Sequence, residues 1–152
     1  MKINVYSIAK KSNDLYDNIS FDLIKMSNKW AKISNNNIFT KEISKQQSTG
    51  EKEAKESYTK EFGKHLGNYN IALTPEGEKI DTIEFSKIID GRSEVNFFIG
   101  GAYGFESNFL NSCQKSISLS NLTYSHKVAK VVLFEQLYRV LTLLNNHPYH
   151  KI

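Results

Sequence analysis

The chain has 152 residues, of which 39% are hydrophobic and 24% charged, and it carries a formal net charge of +4. This length suits one domain with a buried core, and the composition excludes collagen-like, mucin-like and globally disordered proteins. No apolar run approaches the roughly 20 residues of a membrane helix. Polar residues interrupt the N-terminal MKINVYSIAKK, which is unlike a secretory signal. The single cysteine, Cys113, cannot form an internal disulfide, which fits a reducing compartment. We predict a soluble, cytoplasmic protein forming one domain over residues 1–152.

The N-terminal part of the chain predicts a strand followed by an amphipathic helix. Residues 2–9 (KINVYSIA) favour a strand. Apolar residues then recur at spacings of 4, 4, 3 and 4, which places them on one face of a helix. These residues are Leu15, Ile19, Leu23, Met26 and Trp30.

The next segment combines turn signals with polar composition. The three consecutive asparagines at 35–37 indicate a turn, and 38–43 (IFTKEI) indicates a second strand. The polar stretch 44–57 predicts a mobile loop that leads into a charged helix ending near Gly67.

Strands and helices alternate through the rest of the chain. We predict strands at 69–74, 94–101 and 117–120, and helices at 81–90, 105–116 and 127–145. Asp81 or Thr82 is the expected N-cap of the first of these helices. The last helix is apolar around most of its circumference, which predicts burial on several sides and packing against a second subunit as well as its own sheet. The alternation predicts an α/β domain with a mostly parallel sheet and flanking helices.

In open parallel sheets, ligands bind outside the carboxyl ends of the strands. Three such ends are Leu73-Thr74-Pro75, Gly100-Gly101 and Ser120-Asn121, which together form the expected site. The glycines at 100, 101 and 104 either let the backbone approach a nucleotide-like ligand or form a tight turn. The polar segment 118–126 either cradles a ligand or is a capped turn before the last helix.

Charge is distributed unevenly along the chain. Residues 1–106 are balanced, whereas residues 107–152 carry five basic residues against one acidic residue. This asymmetry indicates either an anionic partner or an ordinary solvated face. His126, His147 and His150 lack metal-ligand spacing, so no metal site is expected.

Three blocks together resemble a known family. They are NFFIGGAYG (96–104), ISLSNLTYSHKVAKVVLFEQLYRV (117–140) and the terminal NHPYHK (146–151). They resemble the bacterial 23S rRNA pseudouridine-N3 methyltransferases, the ribosomal RNA large subunit methyltransferase H family of the trefoil-knotted SPOUT class. The resemblance implies a knotted C-terminal region, a homodimer, and S-adenosylmethionine as methyl donor. It also implies methylation of N3 of a pseudouridine in 23S rRNA within the assembled ribosome, with no membrane and no metal involved.

Position by position, the resemblance implies that the cofactor-binding residues are Leu73, Gly101, Ser120, Asn121, Leu122, Thr123, Tyr124 and Ser125. The chemistry of methyl transfer to a weakly acidic N3–H suggests the catalytic candidates, which are His126, Arg139, Tyr149 and His150. Because the tail beyond Pro148 can fold over a site or reach a partner's, His150 and Tyr149 are favoured as contacts to the base, and Arg139 would steady the developing uracil anion.

Two alternatives remain open on the sequence. The chain departs from the family pattern at Ala102, Tyr103, Ser125 and Lys130. A non-catalytic RNA-binding or ribosome-assembly factor with the same fold is therefore one alternative, and a related tRNA methyltransferase is a second.

Overall fold

The computed structural model describes residues 1–151, so that Ile152, the last residue of the predicted domain, lies outside the described part. Five strands and six helices follow one another along the chain. The strands are β1 (Lys2–Ile8), β2 (Lys32–Ile38), β3 (Asn70–Lys79), β4 (Glu94–Ile99) and β5 (Lys115–Ser118). The helices are α1 (Leu15–Ser27), α2 (Lys41–Thr49), α3 (Glu51–Gly63), α4 (Thr82–Ile89), α5 (Ser107–Ser112) and α6 (His126–Leu144).

All strand pairings in the sheet are parallel, in the order β2-β1-β4-β3-β5. Helices cover both faces, which is the arrangement that buries both sides of a parallel sheet. The larger apolar cluster lies on the face of α1, α4 and α6, and the smaller cluster lies beneath α2, α3 and α5. The predicted α/β class with a mostly parallel sheet is confirmed.

Local sequence signals explain several helix boundaries. Asp81 is the N-cap of α4, where its side chain accepts a hydrogen bond from the backbone N–H of Glu84 in a capping box. The hydroxyl of Ser125 caps α6 by accepting from the N–H of Val128. Asn146, with φ of 53°, follows the C-terminal end of α6 in the left-handed conformation that asparagine tolerates.

The prediction for 35–57 is wrong in two respects. Strand β2 runs through the three asparagines, and two of their side chains bond to β1: the Asn36 amide donates to the carbonyl of Val5, and Asn37 accepts from Ser7. The predicted strand 38–43 and mobile loop 44–57 are instead occupied by α2 and α3. Thr40 caps α2 through the N–H of Ile43, which is fully buried.

Smaller differences concern element ends. Helix α3 ends at Gly63 rather than near Gly67, and α5 is shorter than the predicted 105–116. Strand β3 continues past Pro75 and Gly77, with an irregular register against β5 between Leu73 and Glu78. This irregularity displaces 74–77 from regular pairing and makes that segment available to line a pocket.

The apolar face predicted for α1 is only partly buried. Leu23 and Trp30 pack against the larger core, as predicted. Leu15, Ile19 and Met26, however, are 77%, 49% and 46% exposed, so a strip of this face has no cover within the chain.

Candidate functional site

A pocket of about 690 Å³ opens at the carboxyl ends of β4 and β5, beside the irregular middle of β3. This volume lies within the roughly 300–1,000 Å³ typical of small-molecule and cofactor sites. Its walls come from the irregular segment 73–76, the turn 99–105, and the segment 118–126 that leads into α6. The structure thus brings the three predicted strand ends together around one cavity.

The glycine turn after β4 is built for close backbone approach. The N–H of Gly104 donates to the carbonyl of Gly101 at 3.0 Å, and Gly104 has a φ of 75°, which favours glycine. A Cβ on Gly101 would lie 2.7 Å from Cζ of Tyr58, and one on Gly100 would lie 3.1 Å from Cα of Gly104. A side chain at 101 would therefore displace Tyr58 or the turn, and one at 100 would be tightly packed, so that the turn presents backbone groups to the pocket.

The segment between β5 and α6 presents hydroxyl and backbone groups. The hydroxyl of Ser118 donates to the carbonyl of Ser120, and the hydroxyl of Ser120 accepts from the N–H of Leu122. These bonds hold the loop in shape, while Leu122 itself is 73% exposed. Of the predicted cofactor residues, seven line the pocket and Asn121 does not.

Two charged side chains border the same cavity. Glu76 accepts a hydrogen bond from the Thr74 hydroxyl, which lowers the pKa of its carboxyl below the usual value. Lys55 reaches the pocket from α3 and pairs with Glu51 at 2.7 Å. The sequence analysis did not identify either residue, because it predicted a loop at 44–57 and the end of a strand before Pro75.

Of the predicted catalytic residues, only His126 borders the pocket. Partial desolvation, assisted by the charges of Lys130 and Lys127, lowers the pKa of its imidazole below the ordinary value. His126 is therefore neutral at pH 7 and able to accept a proton.

Arg139, Tyr149 and His150 form a second cluster away from the pocket. Arg139 Nη1 lies 3.3 Å from Nδ1 of His150, and its guanidinium carbon lies 4.9 Å from the centre of the Tyr149 ring. Arg139 also pairs with Glu135 at 2.6 Å. Arg139 lies thirteen positions after His126 along α6, which corresponds to about 20 Å of helix. One chain alone therefore does not bring the four predicted catalytic residues to one place.

Two absences can be stated for the part of the chain that the structure covers. Within residues 1–151, none of the helices combines the length and apolar character needed to cross a bilayer. Across the same residues, no three histidine, cysteine, aspartate or glutamate side chains are grouped so as to hold a metal ion.

Comparison with known proteins identifies the class to which this fold and pocket belong. The family model described as "Predicted SPOUT methyltransferase" matches residues 1–150. SPOUT methyltransferases transfer a methyl group from S-adenosylmethionine, and the chain is an enzyme of this class.

Its relatives narrow the assignment. The ribosomal RNA large subunit methyltransferase H of Aliarcobacter butzleri is 54% identical, and the match covers 99% of this chain and 100% of the relative. The protein of the same name from Wolinella succinogenes is 49% identical, with 99% and 100% covered. The chain belongs to the ribosomal RNA large subunit methyltransferase H family, as its sequence motifs predict.

A solved structure is similar in fold alone. A probable methylase family protein from Haemophilus influenzae Rd KW20 superposes with a TM-score of 0.56 at 13% identity. The superposition covers 99% of this chain and 70% of the other.

Proposed function

We propose that the chain methylates N3 of a pseudouridine in 23S rRNA, acting on the assembled ribosome in the cytoplasm. The observation that carries this proposal is the pocket at the carboxyl ends of β4 and β5, in a chain whose full-length relatives are named as rRNA large subunit methyltransferases. The finer details of nucleotide and substrate follow from the resemblance of the motifs in 96–104, 117–140 and 146–151.

The pocket residues fit S-adenosylmethionine. The turn at Gly100 and Gly101 offers backbone groups where a Cβ has no room, and Ser120 and its neighbours offer hydroxyl and amide groups. The ionised carboxyl of Glu76 supplies negative charge at the rim, which complements a sulfonium. We assign Leu73, Gly101 and 120–125 to cofactor binding. When bound, the cofactor supplies an electrophilic methyl group.

His126 is our proposed proton acceptor. The N3–H of pseudouridine is weakly acidic, so a neutral base beside the methyl donor must take its proton as N3 becomes nucleophilic. His126 borders the pocket and has a lowered pKa, whereas Tyr149 and His150 of the same chain lie at the other end of α6. Arg139, with two fixed N–H groups, suits the task of stabilising the uracil anion.

The separation of Arg139, Tyr149 and His150 from the pocket supports a shared site in a homodimer. We propose that the tail cluster of one subunit faces the pocket of its partner, so that each site combines His126 of one chain with the tail of the other. The uncovered strip of Leu15, Ile19 and Met26 on α1 is the surface proposed to be buried between subunits.

The threading of the chain also belongs to the proposal. From the edge strand β5 the chain returns through 119–125 to α6. Helix α6 packs against α4 and against α1, which connects β1 to β2 at the opposite edge of the sheet. This return is the connection that a trefoil knot requires, and we propose that 1–151 is knotted in this way.

The proposal is tested by methyl transfer to ribosomes that lack the modification, with isolated 23S rRNA and tRNA as competing substrates. Mass mapping should place one methyl group on N3 of a pseudouridine in 23S rRNA, with intact ribosomes preferred. Modification of tRNA alone would favour the related tRNA enzyme. Cofactor binding without any transfer would favour the non-catalytic factor.

Mixed dimers test the shared site. A subunit carrying His126→Asn and one carrying His150→Ala should each be inactive as homodimers. After random reassortment, about a quarter of the wild-type activity should return, because half of the dimers are mixed and each has one intact site. If mixing restores nothing, each subunit uses its own tail.

The mass of the protein in solution tests whether the exposed strip on α1 forms the dimer interface. Ile19→Glu should shift the protein toward monomer, whereas Ser48→Glu adds the same charge to an exposed position of α2, over the opposite face of the sheet, and should leave the mass unchanged. Equal behaviour of the two variants would place the interface elsewhere.

A further inference from the structure

Most of the basic side chains in residues 107–152 are already paired with other groups of the same chain. Lys115 pairs with Glu78 at 2.7 Å, Lys127 pairs with Asp14, and Arg139 pairs with Glu135. Lys130 is buried and donates to Oδ1 of Asn37 at 2.5 Å. Four of the five basic residues in this region are therefore already engaged, and the predicted anion-binding role needs cations from elsewhere.

Three exposed lysines gather where β1 and β2 end. Lys10 and Lys11 follow β1, and Lys41 begins α2 two residues after Phe39. The two strand ends are tied together, since the N–H of Ala9 donates to the carbonyl of Ile38 at 3.1 Å. Within residues 1–151, no carboxylate lies within ion-pair distance of any of these lysines. We call Lys10, Lys11 and Lys41 the lysine edge.

Two features make the lysine edge more than a group of scattered charges. Nζ of Lys10 lies 5.1 Å from the centre of the half-buried Phe39 ring, so a cation and an aromatic face are presented together. The buried ammonium of Lys130 lies behind the same strand ends through its bond to Asn37. The acidic residue nearest in sequence, Glu42, accepts a hydrogen bond from Gln46.

The lysine edge and the pocket lie at the same end of the sheet, where β1, β2 and β4 reach their carboxyl ends. Strand β1 pairs with β4, and Ser7 lies opposite Ile99, so the chain after Ile8 is level with Gly100 and Gly101. Neighbouring strands are about 4.8 Å apart, which puts β2 two strand spacings from β4. A strand of nucleic acid that delivers one base to the pocket can therefore lay adjacent phosphates along this edge.

We propose that the lysine edge contacts the phosphates of the RNA strand that carries the target nucleotide, with Phe39 beside it as an apolar surface for a neighbouring base. Paired cations and aromatic rings are the features that bind unstacked, single-stranded RNA. This inference rests on the proposed action on rRNA, and it assigns the phosphate contacts to the N-terminal half of the chain.

The experiment compares two triple variants, and cofactor binding serves as the control of folding for both. Lys10→Ala, Lys11→Ala and Lys41→Ala are combined in one protein, and Lys29→Ala, Lys32→Ala and Lys87→Ala in the other. The second set removes the same charge from the amino-end side of the sheet, where Lys32 begins β2 and Lys87 lies in the last turn of α4. S-adenosylmethionine binding, measured by titration calorimetry, should be equal to wild type in both.

Ribosome binding is then measured over a range of salt concentrations. The lysine-edge variant should bind at least about tenfold more weakly, and its slope of log K against log salt should be shallower by about 2, as expected for three lost phosphate contacts. In the methylation assay, the KM for ribosomes should rise with little change in kcat. The control variant should match wild type throughout.

The two proposals fail in different ways. If the lysine-edge variant shows the salt slope and KM of the control variant, this inference is wrong although methylation proceeds. If wild-type protein transfers no methyl group, the proposed function is wrong, and the salt-dependent binding of the two variants still decides whether the lysine edge contacts RNA.

Discussion

The ring of Tyr58 in α3 lies directly against Gly101 in the turn after β4. A Cβ at position 101 would fall within 2.9 Å of three atoms of the Tyr58 side chain. Tyr58 is fully buried, and its hydroxyl accepts a hydrogen bond from the Gln47 amide at 2.6 Å, which fixes the ring from α2. The helices α2 and α3 thus support the wall of the pocket from behind.

This contact predicts that Gly101→Ala will lower affinity for S-adenosylmethionine by at least about tenfold, because the turn must move away from Tyr58 and a misplacement of 1 Å is costly. Calorimetric titration measures the effect. Gly63→Ala is the matched control, since a Cβ there has open space around it. The control should bind normally and be as stable as wild type or slightly more so. Unchanged affinity in Gly101→Ala would show that the turn does not shape the cofactor site.

The pH dependence of methylation should report His126. Desolvation and the nearby Lys130 and Lys127 charges lower the pKa of its imidazole, so the neutral, proton-accepting form persists to below pH 6.5. Activity should therefore be level near pH 7 to 8 and fall only in more acidic solution. Lys130→Met removes one of the charges that lower the pKa, and should move the inflection toward higher pH. An inflection that persists in His126→Asn would belong to another group.

Cys113 should be a slow thiol in the native protein. Burial raises the pKa of its thiol well above the ordinary value, to about 11. At pH 8 the thiolate fraction, and with it the rate of alkylation by iodoacetamide, should be about 100-fold lower than in the unfolded chain. The rate is measured by mass spectrometry before and after denaturation. Equal rates would mean that Cys113 is accessible as a thiolate, contrary to its place beside the smaller core.

The sequence predicted the position of the pocket because neighbouring parallel strands end on one edge, so the residues after β4 and β5 had to meet there. The third wall, residues 73–76, was expected to follow a strand but lies within β3, where pairing with β5 is interrupted. Helix α2 and the first half of α3 were missed because composition outweighed spacing. Ala54, Tyr58 and Phe62 recur every four residues and are all fully buried, but the polar residues around them indicated a loop. The periodicity of these three residues was the signal available to find α3.

Charge pairing could not be predicted in the same way. Lys127 bonds to Asp14, which is 113 residues earlier in the chain, and Lys115 bonds to Glu78 across two strands. Such pairs depend on the packing of α1 against α6 and of β3 against β5, which local patterns do not specify. Residues 107–152 contain an excess of basic residues, but most of these side chains are paired and so do not form a free positive surface.

The bond between Lys130 and Asn37 carries a stability prediction. Oδ1 of Asn37 accepts from the Lys130 ammonium and from the Ser7 hydroxyl at 3.0 Å. Asn37→Ala removes this acceptor from a buried cation, which should cost about 1–3 kcal/mol in the free energy of unfolding. Lys130→Met keeps the length of the side chain without its charge, and leaves Asn37 bonded to Ser7.

A double-mutant cycle isolates this interaction. The combined Asn37→Ala, Lys130→Met variant should lose about 1 kcal/mol less free energy of unfolding than the two single variants lose together. The reason is that the double variant no longer contains a buried cation without an acceptor. Urea unfolding at one fixed protein concentration provides the four free energies. Lys130→Arg tests the geometry of the site, because the planar guanidinium cannot meet a single amide oxygen in the way that the compact ammonium does. Additive effects in the cycle would mean that Lys130 is solvated in the protein and that the bond to Asn37 contributes nothing to stability.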